Sequence, residues 1–104
     1  APVYGATKAG IHSFTMSLRF NLTSENSSVQ VYEILPPKVK TNLDPNSNIG
    51  EDLNEFVQHA FTGLVNGQQE IGMKMSDTAR KATRSEIDET FQKMDAVYKQ
   101  MLSQ

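Results

Sequence analysis

Apolar residues in the first quarter of the chain recur with a helical period around most of a circumference. Placed at 100° per residue, Phe14, Leu18, Ile11 and Leu22 make one stripe, and Ala6, Ala9, Met16 and Phe20 make a second. Small residues, Gly10, Ser13 and Ser17, lie between the stripes, and only Thr15, Arg19, His12 and Thr23 form a clearly polar strip. The pattern predicts a helix over residues 5–24. A surface helix needs an apolar arc of little more than ~100°, so this one is expected to be covered on two sides, by a sheet and by another helix or subunit. A polar turn at 24–28 then leads into VQVYEIL, a short β-branched run that predicts a buried strand over 29–35. Pro36 and Pro37 stop that strand because neither has an N–H to pair. Residues 36–50, rich in Pro, Asn, Asp and Gly, predict a loop.

Leu53, Phe56, Val57, Ala60, Phe61 and Leu64 recur at three- and four-residue steps and predict a one-sided helix over 51–65. Asn66-Gly67 ends it with residues that tolerate left-handed backbone. Residues 69–72 are a weak strand candidate, and 73–83 are expected to be irregular with at most a turn of helix. Ser85-Glu86-Ile87-Asp88 is close to a capping box, and a last helix is expected over 85–102. A long helix, a tight turn and a strand are the second half of a βαβ unit. Two strands cannot make a stable open sheet between three helices. Residues 1–104 are therefore expected to be the C-terminal segment of a larger α/β domain, incomplete without upstream residues, or dependent on a partner.

Composition narrows the function classes. The chain has 104 residues, a net charge of −2 and no cysteine. The balanced charge gives no attraction to nucleic acid or to an anionic membrane. Without cysteine there is no disulfide, thiolate metal site or thiol nucleophile. No apolar run approaches the ~20 residues of a transmembrane helix, and no signal peptide is visible, so a cytoplasmic location is expected. His12 and His59 have no further ligand spaced to join them, so no metal site is expected. Ala1-Pro2-Val3 reads like the middle of a protein.

The candidate chemistry is Tyr4-Gly5-Ala6-Thr7-Lys8, where a tyrosine and a lysine four apart share one helix face. Past the helix and strand comes Pro36-Pro37-Lys38-Val39-Lys40-Thr41. Tyr-x-x-x-Lys on a long helix, then a strand, then Pro-x-x-Val-x-Thr, resembles the short-chain dehydrogenase/reductase family, and the resemblance runs through essentially the whole chain. It implies the C-terminal part of a Rossmann-like doubly wound parallel sheet, with NAD(H) or NADP(H) at the strand ends. It also implies an oxidoreductase acting on a carbonyl/alcohol pair. A free phenol has a pKa of ~10, too high for a base near neutrality, and an ammonium within ~4–6 Å favours the phenolate. In the family, the tyrosine matched by Tyr4 is the general acid/base, and the lysine matched by Lys8 lowers its pKa and binds the nicotinamide ribose hydroxyls. Tyr4, Lys8, Pro36, Val39 and Thr41 are accordingly the expected cofactor-binding residues, with Thr41 and backbone near Val39 facing the nicotinamide carboxamide. The loop 44–50 and the helix after it are expected to shape the substrate side.

Two departures qualify the resemblance. Pro37 stands where most of the family has glycine. The glycine-rich dinucleotide turn, the residue that selects NAD or NADP, and the family's serine and asparagine would all lie before Ala1. The chain alone is therefore expected to be inactive. The alternative is a truncated, non-catalytic relative that associates through its exposed helices, as a homo-oligomer through helix 5–24.

Overall fold

The computed structural model describes residues 2–43 and 45–103. It is an α/β arrangement of four helices and two parallel strands among the described residues. The chain divides into two units, Ala1–Glu33 and Ile34–Gln104.

The first unit is dominated by α1, Pro2–Ser24. Proline suits a first turn because its fixed φ is helical and its missing N–H would have no partner there. In the strip expected to be polar, the two threonines are satisfied within the helix: Thr15 and Thr23 hydroxyls donate back to the carbonyls of Ile11 and Arg19, at 2.8 and 2.9 Å. The helix ends in a Schellman motif. Ser27 N–H donates to Leu22 C=O and Asn26 N–H to Thr23 C=O, with Asn26 at φ 56°. The described residues do not supply the cover expected on two sides of α1. None of its residues is buried, and Phe14 and Phe20 are 67% and 73% exposed.

The strand expected over 29–35 is also shorter. Regular pairing is confined to β1, Glu33–Leu35, whose one sheet neighbour among the described residues is β2. A strand exists only as far as a neighbour pairs with it, and Val29, Tyr32 and Ile34 are exposed. The buried residue of the segment is the charged one, Glu33.

In the second unit, α2 runs over Leu53–Val65. It starts two residues later than expected because Asp52 is its N-cap, with a carboxylate oxygen accepting the Glu55 N–H at 3.1 Å. Asp52→Ala should lower stability by about 1 kcal/mol, the usual worth of such a cap. A urea titration followed by circular dichroism measures it, and an unchanged midpoint would refute the cap's contribution.

The small core lies where α2 meets β2, Glu70–Gly72. Ile71 is 1% exposed, and the neighbouring Ala60 and Gly63 of α2 are buried. A Cβ on Gly63 would lie 2.9 Å from Ile71 Cδ1, so the helix reaches the strand at this distance because position 63 has no side chain. His59 Nε2 lies 2.7 Å from the Gly72 carbonyl and ties the same two elements.

Residues 73–83, expected to be irregular, contain a helix, α3, Met75–Lys81. Its local charges stabilise it: Asp77 in the first turn pairs with Arg80 and Lys81 in the last, each at 2.8 Å. The last helix, α4, spans Ile87–Leu102 rather than beginning at Ser85. The expected capping box does not form. The Ser85 hydroxyl engages Thr83 Oγ1, and Glu86 turns its carboxylate back to the Thr83 N–H at 2.9 Å. Among the described residues, no helix is long and apolar enough to cross a membrane.

Candidate active site

The expected site residues fall into two sets, one in each unit. Tyr4 and Lys8 lie in the first two turns of α1, and the helical repeat brings them together. Lys8 Nζ sits 5.3 Å from the centroid of the Tyr4 ring, within cation–π range. Both side chains are exposed. No carboxylate among the described residues pairs with Lys8, so its three N–H donors are open to a ligand. Further along the same unit, His12 Nδ1 lies 2.6 Å from Glu33 Oε1. Arg19 donates through Nε and Nη2 to the Val31 carbonyl. These contacts tie the polar strip of α1 to the segment leading into β1. The spacing of residues did not reveal the partner of His12, because 21 positions separate it from Glu33.

The second set follows β1. Pro36 and Pro37 have no N–H, so the chain leaves the sheet there. Val39 then forms an isolated parallel bridge with Glu51: Glu51 N–H donates to Lys38 C=O at 2.8 Å and Lys40 N–H to Glu51 C=O at 2.9 Å. In a parallel bridge the flanking residues make the bonds, so the N–H and C=O of Val39 itself point to the other side. Neither has a backbone partner among the described residues. The returning loop passes close to this arm at Gly50, whose φ is 135° and where a Cβ would lie 3.1 Å from the Lys38 carbonyl oxygen. That backbone region is one in which glycine is the default residue.

The Thr41 hydroxyl oxygen accepts the Leu43 N–H at 3.3 Å, which leaves its own proton free to donate. Val39 and Thr41 thus offer two donors and an acceptor, enough to match the oxygen and one N–H of a carboxamide C(=O)NH₂. In this respect the residues fit a nicotinamide. Of the substrate-side loop expected at 44–50, Asp44 lies outside the described residues. Within the rest, Ser47 Oγ engages both N–H and C=O of Ile49.

Three residues that the sequence does not single out converge on the arm. Lys74 Nζ bonds Glu51 Oε2 at 2.6 Å, and this contact holds the lysine above its ordinary pKa. The Ser76 hydroxyl lies 2.6 Å from the Leu35 carbonyl oxygen, just before Pro36. Glu51 and Lys74 are separated by 23 positions and Leu35 and Ser76 by 41, so no local pattern signals them.

Comparison with known proteins adds the lineage. A family model described as short chain dehydrogenase matches residues 1–52, which contain both expected site sets. A curated relative, the uncharacterized oxidoreductase DltE of Bacillus subtilis (strain 168), is 40% identical over 101 residues. That match takes in 90% of this chain and 39% of the relative, so the chain spans about two fifths of the relative's length. No solved structure matches the chain.

Proposed function

Because this chain belongs to the short chain dehydrogenase family, we propose that it carries the acid/base and nicotinamide-facing half of an NAD(P)-dependent oxidoreductase site. The observation that carries the proposal is the Tyr4–Lys8 pair on one face of α1, with the Lys8 ammonium 5.3 Å from the ring centroid and free of any carboxylate among the described residues. Residues 1–104 act as one C-terminal segment of such a domain, and the upstream part of the family's fold completes the site.

The chemistry follows from the side chains. Carbonyl reduction needs a hydride on carbon and a proton on oxygen, and bound NADH or NADPH supplies the hydride. Tyr4 Oη gives its proton to the carbonyl oxygen, and in the reverse direction the phenolate takes the alcohol proton. The Lys8 ammonium donates its N–H groups to ribose hydroxyls. Val39, through its free N–H and C=O, and Thr41, through its hydroxyl proton, orient the carboxamide. Pro36 sets where the arm leaves the sheet. The substrate is a small carbonyl or alcohol compound.

The test is fluorescence titration of the whole gene product with NADH and with NADPH, followed by a panel of aldehydes and ketones. Saturable binding of one dinucleotide and carbonyl-dependent oxidation are expected. A whole gene product that binds neither would sink the enzyme reading, whereas binding by it and not by residues 1–104 alone marks this segment as one half of the site.

A second reading rests on the open apolar arc of α1, where Phe14 and Phe20 are exposed. Residues 5–24 pack against a second copy of the chain. Sedimentation velocity distinguishes the two states, and a monomer at all concentrations would overturn this reading.

A further inference from the structure

We propose that the turn over 73–76, which leads from β2 into α3, positions the nicotinamide-facing arm, with Lys74 and Ser76 as positioning residues. The inference deepens the oxidoreductase reading and rests on it for the role of the arm at 36–41.

Lys74 has φ 53° and ψ −115°. Ser76 N–H donates to Met73 C=O at 3.2 Å and closes a four-residue turn around it. Those angles match the first central residue of a type II′ turn, a position dominated by glycine because a Cβ is crowded there. A lysine held in such a conformation points to a use for its side chain, and Glu51 supplies that use. The Lys74 ammonium bonds Glu51 at 2.6 Å. Glu51 is the residue whose backbone brackets Val39 through Lys38 and Lys40.

The same turn also grips the near end of the arm. Ser76 Oγ accepts the Met73 N–H at 3.0 Å and lies 2.6 and 3.1 Å from the carbonyl oxygens of Leu35 and Met73. A hydroxyl has one proton, and the shorter contact, to Leu35, takes it. Pro36 and Pro37 immediately follow and offer no N–H through which a sheet could hold them. The arm is therefore anchored at its root by Ser76 and at its bridge by Lys74 through Glu51. One turn sets both, so its geometry fixes where Val39 and Thr41 present their groups.

The experiment uses the whole gene product. Ser76→Ala, which removes a half-buried hydroxyl with short contacts, should weaken NADH or NADPH binding about tenfold. Lys74→Met, which breaks an exposed ion pair, should weaken it about threefold, and Lys74→Arg should restore it. Lys74→Gly separates positioning from mere stability: it relaxes the turn, so the unfolding midpoint should hold or rise while dinucleotide affinity still falls about threefold. Without ligand, amide exchange at Lys40 and Glu51 should speed up in Ser76→Ala and Lys74→Met.

If the wild type binds dinucleotide and the variants bind it equally, the positioning role is wrong and the oxidoreductase reading stands. Unchanged amide exchange at Lys40 and Glu51 overturns the anchoring itself. A wild type that binds no dinucleotide overturns both readings together.

Discussion

Replacing Tyr4 by phenylalanine should lower turnover of the whole gene product by about 10²–10⁴, the usual worth of a positioned general acid/base. Dinucleotide affinity should hardly change, because the ring that Lys8 faces remains and only the hydroxyl is lost. Lys8→Met should behave differently. The ammonium is proposed to bond ribose hydroxyls, and a hydrogen bond to a charged group is worth ~1.5–3 kcal/mol, about ten- to a hundredfold in affinity. Stopped-flow turnover and equilibrium titration of the two variants separate the roles. Equal effects on binding and turnover in both would show that the pair does not divide the work in this way.

The second large effect is on stability. Ile71→Ala should cost about 2–4 kcal/mol, because the side chain is fully buried in a core too small to collapse around the gap. Gly63→Ala should also destabilise, despite a gain in helix propensity of up to ~1 kcal/mol. Its Cβ would sit 2.9 and 3.0 Å from Ile71 Cδ1 and Cγ1, closer than van der Waals contact. The two changes are coupled. Once Ile71 is alanine, the added methyl at 63 loses those two contacts and meets Gln68 Oε1, 2.9 Å away at the end of a flexible side chain. The double variant should therefore be less unstable than the sum of the singles by about 1 kcal/mol, a typical coupling for residues in contact. Urea titrations of the four proteins test this, and strict additivity would mean that α2 and β2 do not meet as described.

The arrangement explains why so little of the chain is buried. Among the described residues, Ile71 and Ala60 are the buried apolar side chains, and Gly63 and Gly72 are buried with them. The exposed positions Leu53, Val57, Phe61 and Val65 lie four apart along one face of α2. The one-sided apolar pattern read along this helix is thus only partly used within the chain. A pattern records which face favours burial, whereas burial itself requires a neighbour.

Local repeats and long-range contacts divide the rest of the molecule in the same way. Local periodicity places Tyr4 and Lys8 on one face of α1, since residues four apart are neighbours on any α-helix. Local chemistry likewise marks the end of β1 at Pro36 and the end of α2 at Asn66-Gly67, because missing donors and left-handed backbone are properties of single residues. The extent of β1 did not follow from VQVYEIL, because a strand exists only where another strand pairs with it, and β2 reaches residues 33–35 alone. Nor did Glu33 announce itself as the partner of His12, Lys74 as the partner of Glu51, or Ser76 as an anchor for Leu35. Each depends on segments 21 to 41 residues apart meeting within hydrogen-bond reach. The pairing of Tyr4 with Lys8 is therefore written in the helix repeat, and the hold on the arm at 36–41 comes from contacts that only folding creates.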